Sequence, residues 1–235
     1  MKWYINATMT NIGTYPLAWD VVNEAIADGP HVNKTSPWSI VDNYICKAFQ
    51  AAKEAQPTAQ LFYNDYKHGS MVGAFASKSD KVYELVESLV NLGCGIDGVG
   101  FQNHLDITFT DEEIEGIRSN IQRYNKLGIK VHITETDVRC NQLGDCNVTT
   151  WTDDMLQRQA DIYNGILKVC LEEPNCMNFE SWGYTDAFSF LKAPQNGLMM
   201  DDNFGRKLAY TQMLETLNGW DKNSEVCKAK LAGRS

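Results

Sequence analysis

The sequence predicts an α/β fold with buried, parallel strands, and two observations lead to this prediction. First, short runs rich in Val, Ile, Phe and Trp and poor in charge alternate with longer amphipathic stretches, which is the pattern of repeated strand–helix units. Second, two of these runs end in a glutamate, Glu24 and Glu135, at the strand edge where parallel α/β proteins carry their functional groups. The predicted strands are 17–24, 60–65, 97–103, 129–135 and 176–182.

The stretches between the strands have the spacing of amphipathic helices. In 80–92, apolar residues recur on one helical face, Asp80 is the expected N-cap, and Gly93 is the expected glycine after the C-cap. The stretch 111–127 begins with acidic residues and ends beside Lys126, as the helix dipole favours. Further helices are expected at 38–55, 153–172 and 206–218.

Composition limits the class of protein. No linker or low-complexity segment divides the chain, so residues 1–235 are expected to form a single domain. The formal net charge of −9 argues against nucleic acid or an anionic membrane as a partner and favours a neutral substrate. An open nucleotide-binding α/β sheet is improbable, because Gly93-Cys94-Gly95 precedes a strand instead of following one.

Seven cysteines and three glycosylation sequons bear on the compartment. Together they favour an extracellular, secreted protein whose signal peptide is not in this chain, with buried thiols in a cytosolic enzyme as the alternative. The odd count leaves at least one cysteine unpaired within the chain. Two pairs are close in sequence, Cys140/Cys146 and Cys170/Cys176, whereas the pairing of Cys46, Cys94 and Cys227 stays open. The sequons begin at Asn6, Asn33 and Asn147.

The two glutamates indicate a chemistry. Two carboxylates that face one site are the minimum apparatus for cleaving a glycosidic bond. Glu24 lies in Trp19-Asp20-Val21-Val22-Asn23-Glu24-Ala25, and Glu135 lies in Ile133-Thr134-Glu135-Thr136-Asp137-Val138-Arg139. No metal or organic cofactor is expected, because an acid/base pair of this kind needs none.

These two motifs resemble the acid/base and nucleophile motifs of family-10 glycoside hydrolases, the retaining endo-β-1,4-xylanases. Four further segments match the family in the same order along the chain, and six motifs in order make a chance match very improbable. They are Asn64-Asp65-Tyr66, Gly98 to Leu105, Ser181 to Asp186, and the final segment with Leu198 to Asp201 and Arg206 to Tyr210. The resemblance implies a (β/α)8 TIM-barrel fold and xylan or a xylo-oligosaccharide as substrate.

The resemblance also implies roles for the two carboxylates. Glu24 would be the general acid that protonates the leaving oxygen, and later the base that activates water. Glu135 would be the nucleophile that forms the glycosyl-enzyme. A retaining mechanism needs the two carboxyl groups about 5–5.5 Å apart. Glu24 must then have a raised pKa, which an apolar environment and the like charge of Glu135 would supply.

Polar residues beside the glutamates receive implied roles as well. Asn23 would bind the sugar 2-hydroxyl next to the scissile bond. His104 would contact substrate and hydrogen-bond Glu135, with Asp137 behind it to fix the histidine tautomer. Gln102, two residues before His104, shares its face of the strand and is also expected at the substrate.

Aromatic side chains stack on sugar faces. Trp182 is expected to form a wall of the cleft at the cleavage point, and Tyr66 to lie on the leaving-group side. Phe190 stands where the family usually has Trp, and this smaller ring would loosen the roof over the glycone side. The resemblance implies a Cys170–Cys176 disulfide, and a Cys140–Cys146 disulfide would brace the loop after the nucleophile.

The chain departs from the family at several positions. Residues 1–16 look like the helix before the fourth strand, so the chain matches an incomplete barrel of units 4–8, without the first three units, roughly 90 residues. The remainder would come from a longer gene, from another chain, or be replaced by self-association. Lys67 stands where Asn is usual after Asn-Asp-Tyr, and Thr136 stands where Leu is usual.

Other functions remain open at this point. The main alternative is a catalytically impaired carbohydrate-binding fragment that keeps Trp182 and Tyr66 but has lost part of its grip on the sugar. Another keeps the chemistry and changes the substrate to β-1,4-glucan or an aryl glycoside. The joint presence of Asn23, Glu24 and Glu135 with a His104–Asp137 pair favours the enzyme, because a binding protein needs no such set.

Overall fold

The computed structural model describes residues 1–28, 36–140, 151–191, 193 and 195–232, and it has the predicted alternation of strands and helices. The strands are β1 (Ala18–Asn23), β2 (Gln60–Asp65), β3 (Gly98–Phe101), β4 (His104–Asp106), β5 (Lys130–Arg139) and β6 (Cys176–Ser181). The helices are α1 (Lys2–Ile12), α2 (Tyr44–Ala55), α3 (Ala76–Asn91), α4 (Asp111–Lys126), α5 (Asp153–Glu172), α6 (Leu208–Gly219) and α7 (Glu225–Ala232). None of these helices is long and apolar enough to cross a bilayer.

All paired strands are parallel, and across the sheet they lie in the order β1, β2, β3, β5 and β6, with β4 beside the second half of β5. β1 pairs with β2, β2 with β3, β3 with the first half of β5, and β6 with the other edge of β5. Within the described residues the sheet does not close, because the outer edges of β1 and β6 have no strand neighbour. This is the arrangement of a partial barrel.

The core lies between the sheet and the helices that cover its outer face. Fully buried Phe49, Val82, Ile117 and Ile166 project from α2, α3, α4 and α5 respectively towards buried side chains of the strands such as Val131. The helices are held on the sheet mainly by burial of apolar surface, which contributes roughly 25 cal/mol of stabilising free energy per Å².

The strand that carries Glu135 is longer than the sequence predicted. β5 continues beyond residue 135 to Arg139, because the short strand β4 pairs with its second half, His104 opposite Asp137. Glu135 therefore lies inside a strand and not at its end. Glu24 does follow directly after β1.

The first turn of α3 also corrects a prediction. Asp80 is not the N-cap, since α3 begins four residues earlier, at Ala76. The extra turn buries Lys78 and Ser79, where Lys78 forms an ion pair with the buried Asp65 at 2.8 Å. Asp80 instead pairs with Arg123 at 2.8 Å. Tertiary contacts thus outweigh the local capping signal, whereas Gly93 follows the helix as predicted, with a φ of 64°.

Two disulfides lie within the described residues, Cys46–Cys94 and Cys170–Cys176. The resemblance implied the Cys170–Cys176 bond, whereas the sequence left the pairing of Cys46 and Cys94 open. Cys140 is disulfide-bonded, but its predicted partner Cys146 lies outside the described residues. Cys227 is a free thiol. Disulfides are typical of an oxidising compartment, and secretion itself stays a prediction.

Candidate active site

Glu24 is presented by a backbone turn at the end of β1. Its φ is 55°, in the left-handed region that non-glycine residues rarely adopt, so the turn needs support from its surroundings. Its N–H donates to the carbonyl of Asn64 at 2.8 Å. The N–H groups of Ala25 and Ile26 donate to the buried hydroxyl of Tyr63 at 3.0 and 3.2 Å. Neighbouring β2 thereby fixes where the Glu24 side chain starts.

Glu135 receives a hydrogen bond at each carboxylate oxygen. The Asn64 amide Nδ2 donates to Oε1 at 2.8 Å, and the His104 ring Nε2 lies 3.2 Å from Oε2. The Glu135 side chain is only 12% exposed. Donors on both oxygens fix the carboxylate plane and stabilise its negative charge.

The two carboxylates are linked through three amides. The Gln102 amide Nε2 donates to Glu24 Oε1 at 3.1 Å and lies 3.4 Å from the Asn23 side-chain oxygen. The same Asn23 oxygen accepts from Asn64 Nδ2 at 3.1 Å. A continuous chain of polar contacts therefore runs from Glu24 to Glu135. Gln102 itself is buried against this chain, and its predicted substrate contact stays a prediction.

The Asn64 amide can have only one orientation in this site. Its oxygen accepts from the Thr134 hydroxyl at 2.8 Å, which leaves the NH2 group to face Glu135. The Glu135 carboxylate fixes this orientation because it can only accept, so the reversed amide would place oxygen against oxygen, while the Thr134 hydroxyl supplies a donor for the amide oxygen. Gly100 makes room for it, since a Cβ there would lie 2.3 Å from Asn64 Oδ1.

His104 is held between two carboxylates. Its Nδ1 lies 2.5 Å from the buried Asp137 Oδ2, and its Nε2 faces Glu135. Burial alone would lower the pKa of His104, but the hydrogen bonds and charges of Asp137 and Glu135 raise it to about 9. The ring therefore carries both protons at neutral pH and donates from both nitrogens. Asp137 lies behind His104 and its charge stabilises the protonated ring, and a role in fixing the tautomer stays a prediction.

The predicted sugar-stacking residues lie around these groups. Trp182 and Phe190 are 53% and 55% exposed, unusually open for such large rings. The backbone N–H of Trp182 donates to the Thr136 carbonyl at 3.3 Å, so the backbone of Trp182 lies beside β5, next to the residue that follows Glu135. Phe190 meets the His104 ring edge-on, with centroids 5.6 Å apart. Tyr66 directly follows β2, and Lys78 Nζ lies 3.4 Å from the centroid of its ring.

Sequence reasoning missed three groups at this site. Asn64 and Thr134 belong to the motifs that resemble the family, but no separate role is predicted for them, although Asn64 directly contacts Glu135. Asp20 lies on the inner face of β1, opposite to the core-packed Trp19. Burial, then the charge of Glu135, then that of Glu180 raise the pKa of Asp20 to about 6, although the residue keeps solvent contact on this open side of the sheet. The alternation of side chains along a strand predicts that Asp20 lies on the inner face. It does not identify the neighbouring charges that raise the pKa of Asp20.

Comparison with known proteins places this arrangement among glycosidases. Residues 1–216 match the model of glycosyl hydrolase family 10. Endo-1,4-beta-xylanase B of Thermotoga neapolitana is 36% identical over 85% of this chain and 56% of its own length. Endo-1,4-beta-xylanase of Geobacillus stearothermophilus is 34% identical over 91% of this chain and 66% of its own. The chain thus spans between about half and two thirds of these relatives.

Solved structures give the same result for the fold. Native xylanase 10B from Thermotoga maritima superposes with a TM-score of 0.81 at 33% identity, over 92% of this chain and 65% of that one. Xylanase 10B from Thermotoga petrophila in complex with xylobiose also has a TM-score of 0.81 at 33% identity, over 92% and 64%. The sheet described above therefore corresponds to part of a TIM barrel.

The raised pKa of His104 predicts a pH-dependent stability. A histidine that gains carboxylate partners on folding stabilises the protein fully below its unfolded pKa of about 6.5, and this contribution disappears as the pH rises through about 9. We expect the free energy of unfolding to fall by about 3 kcal/mol over this interval. Denaturant unfolding at a series of pH values, for the wild type and for His104→Asn, measures it. An identical slope in the variant would contradict the assignment.

Proposed function

This chain belongs to glycosyl hydrolase family 10, and we propose that it acts as a retaining endo-β-1,4-xylanase that cleaves internal bonds of xylan by double displacement. The observation that carries the proposal is the chain of amide contacts that joins Glu24 to Glu135. It positions two carboxylates in one site, each with its own hydrogen-bond partner, as two different roles in one reaction require.

The first half of the proposed reaction forms a covalent intermediate. A Glu135 oxygen attacks the anomeric carbon while the bond to the leaving oxygen breaks, and Glu24 gives its proton to that oxygen. Asn64 and His104 hold the Glu135 carboxylate in a fixed plane, so that little reorganisation is needed at the moment of attack.

The second half returns the enzyme to its starting state. Glu24, now ionised, takes a proton from a water whose oxygen bonds to the anomeric carbon, and the bond to Glu135 breaks. Gln102, which donates to Glu24, keeps this carboxylate in place through both steps. Two inversions at one carbon give net retention of configuration.

Xylan is the substrate class that the relatives support best. The curated relatives named above are called endo-1,4-beta-xylanases, and one of the matched structures contains xylobiose. β-1,4-Glucan and a purely carbohydrate-binding role have no such support. Since the chain spans only part of those proteins, its own activity is a proposal.

The first test is release of reducing sugar from soluble arabinoxylan by this chain. We expect wild-type activity to fall at least about a thousandfold in Glu135→Gln, because the nucleophile is lost while the shape of the site is kept. Glu84→Gln, the same change at an exposed position of α3, serves as the matched control and should keep full activity. A folded wild type that binds xylo-oligosaccharide but releases no sugar would instead favour the binding function.

The orientation of Asn64 gives a second prediction. Thr134→Val keeps the side-chain shape but removes the hydroxyl that donates to the Asn64 oxygen, so the amide is held less firmly against Glu135. We expect kcat/KM on arabinoxylan to fall about tenfold, the effect of one lost hydrogen bond that supports the contact to Glu135. Thr134→Ser keeps the hydroxyl and should stay within about threefold of the wild type. Equal losses in the two variants, at unchanged thermal stability, would contradict this role.

The open sheet edges support a further part of the proposal. β1 and β6 each present an unpaired edge within the described residues, and such edges recruit strands. Beside β6 lies an apolar groove with Met177, Phe179 and Leu217, and just before β1 Tyr15 and Leu17 are 92% and 84% exposed. We propose that a complementing segment or a second copy of the chain covers these surfaces.

Sedimentation velocity over a range of concentrations tests this coverage for the chain alone. We expect concentration-dependent association that Leu17→Lys weakens, since the charge would be buried at the covered edge. Leu92→Lys, at a 64% exposed position after α3, should leave association unchanged. A chain that stays monomeric and stably folded at every concentration would count against self-association.

A further inference from the structure

A small cavity rich in lysine lies beside Tyr66. Its volume is about 270 Å³, slightly below the roughly 300–1,000 Å³ of ordinary small-molecule sites, so it suits one sugar branch better than a chain of sugars. Its charged groups are Lys67, Lys78, Lys81 and Asp28. Three ammonium groups and one carboxylate make this lining cationic in a chain whose net charge is −9.

Lys78 is the fixed cation of this cavity. Its side chain is only 7% exposed, and its ammonium contacts Asp65 at 2.8 Å and Asp28 at 3.1 Å above the ring of Tyr66. Asp65 in turn lies within 3.4 Å of the Ile26 N–H, in the turn that follows Glu24. The cavity is therefore anchored to the backbone that presents the proposed acid/base residue.

Lys67 is the cation that can change partner. Its side chain is 45% exposed, and its only described carboxylate contact is a long one, 3.5 Å to Asp28 Oδ2. Burial raises the pKa of Asp28, but the stronger combined effect of Lys78, a hydrogen bond with Tyr66 and the charge of Lys67 lowers it, so this carboxylate remains charged. If Lys67 turned to a ligand, Asp28 would still be paired with Lys78.

The backbone at Lys67 is strained. Its φ is 54°, in the left-handed region that Asn adopts readily and that Lys rarely adopts. Asn is the residue that the resemblance leads one to expect at this position, so a lysine here lowers local stability and adds a charge. Backbone strain that persists at the rim of a cleft is a reason to look for a function of the side chain.

We propose that this cavity binds the carboxylate of a uronic acid branch carried by the xylan chain, on the leaving-group side, with Lys67 as the residue that recognises the charge. This inference rests on the proposed function, because it assumes that xylan lies along the cleft past Tyr66. An acidic pyranose is an anion that a neutral pentose polymer can present there, and it has the size of the cavity. Charge complementarity would then make branch recognition sensitive to salt.

The test is equilibrium binding, which does not need turnover. In a Glu135→Gln background, titration calorimetry compares a xylo-oligosaccharide bearing a uronic acid branch with the same compound after reduction of its carboxyl group. We expect the acidic form to bind about two- to fivefold more tightly, as one partly exposed ion pair allows, and the preference to shrink at high salt. Lys67→Asn should bring the two Kd values together.

Lys126→Asn is the matched control, since Lys126 is an exposed lysine in the last turn of α4, and it should keep the preference. Equal Kd values before Lys67 is changed, a preference that survives Lys67→Asn, or no binding of either compound would each overturn the inference. Hydrolysis of unbranched xylan by the wild type is measured separately. Its absence would overturn the proposed function even if the charge preference were found.

Discussion

The hydrogen bond from Asn64 to Glu135 is the contact on which the site depends. Asn64 belongs to β2, Glu135 to β5, and the bond exists only because β3 sets the two strands at a fixed separation. The same amide contacts Asn23 at the end of β1, and its oxygen accepts a hydrogen bond from Thr134 of β5. One side chain on β2 thus contacts β1 and β5, and the packing of these three strands sets the geometry of the candidate site.

Electrostatics at the inner face of the sheet are dominated by carboxylates. Glu135, Asp137, Asp20 and Glu180 bring four negative charges to this region, and the His104 imidazolium is the cation placed directly between two of them. Removing a charged partner from a site of this kind costs more than the pair contributes, because the remaining charges lose their compensation. His104 therefore compensates the charge of both carboxylates that it contacts.

Much of this arrangement could be predicted from sequence, since strand ends and short motifs are local signals. The runs that end near Glu24 and Glu135 are rich in apolar residues because helices cover the outer face of the sheet, and that composition is visible residue by residue. Contacts between residues that are distant in sequence cannot be predicted from such local signals. The extension of β5 depends on β4, the start of α3 depends on Asp65 receiving Lys78, and the Cys46–Cys94 bond depends on where α2 lies. The role of Asn64 was hidden for the same reason, because its partners are 41 and 71 residues away.

The Cys46–Cys94 disulfide encloses most of α2, all of β2 and all of α3 in one covalent loop with a sequence separation of 48 residues. A segment tied at both ends gains little freedom when it opens locally, so fluctuations that would detach β2 from the sheet are suppressed together with those of its flanking helices. Amide protons of β2 then exchange with solvent only when the larger unit opens. In a reducing environment this covalent restraint would be lost, and β2, the strand that carries Asn64, would be held by packing and by its pairing with β1 and β3 alone.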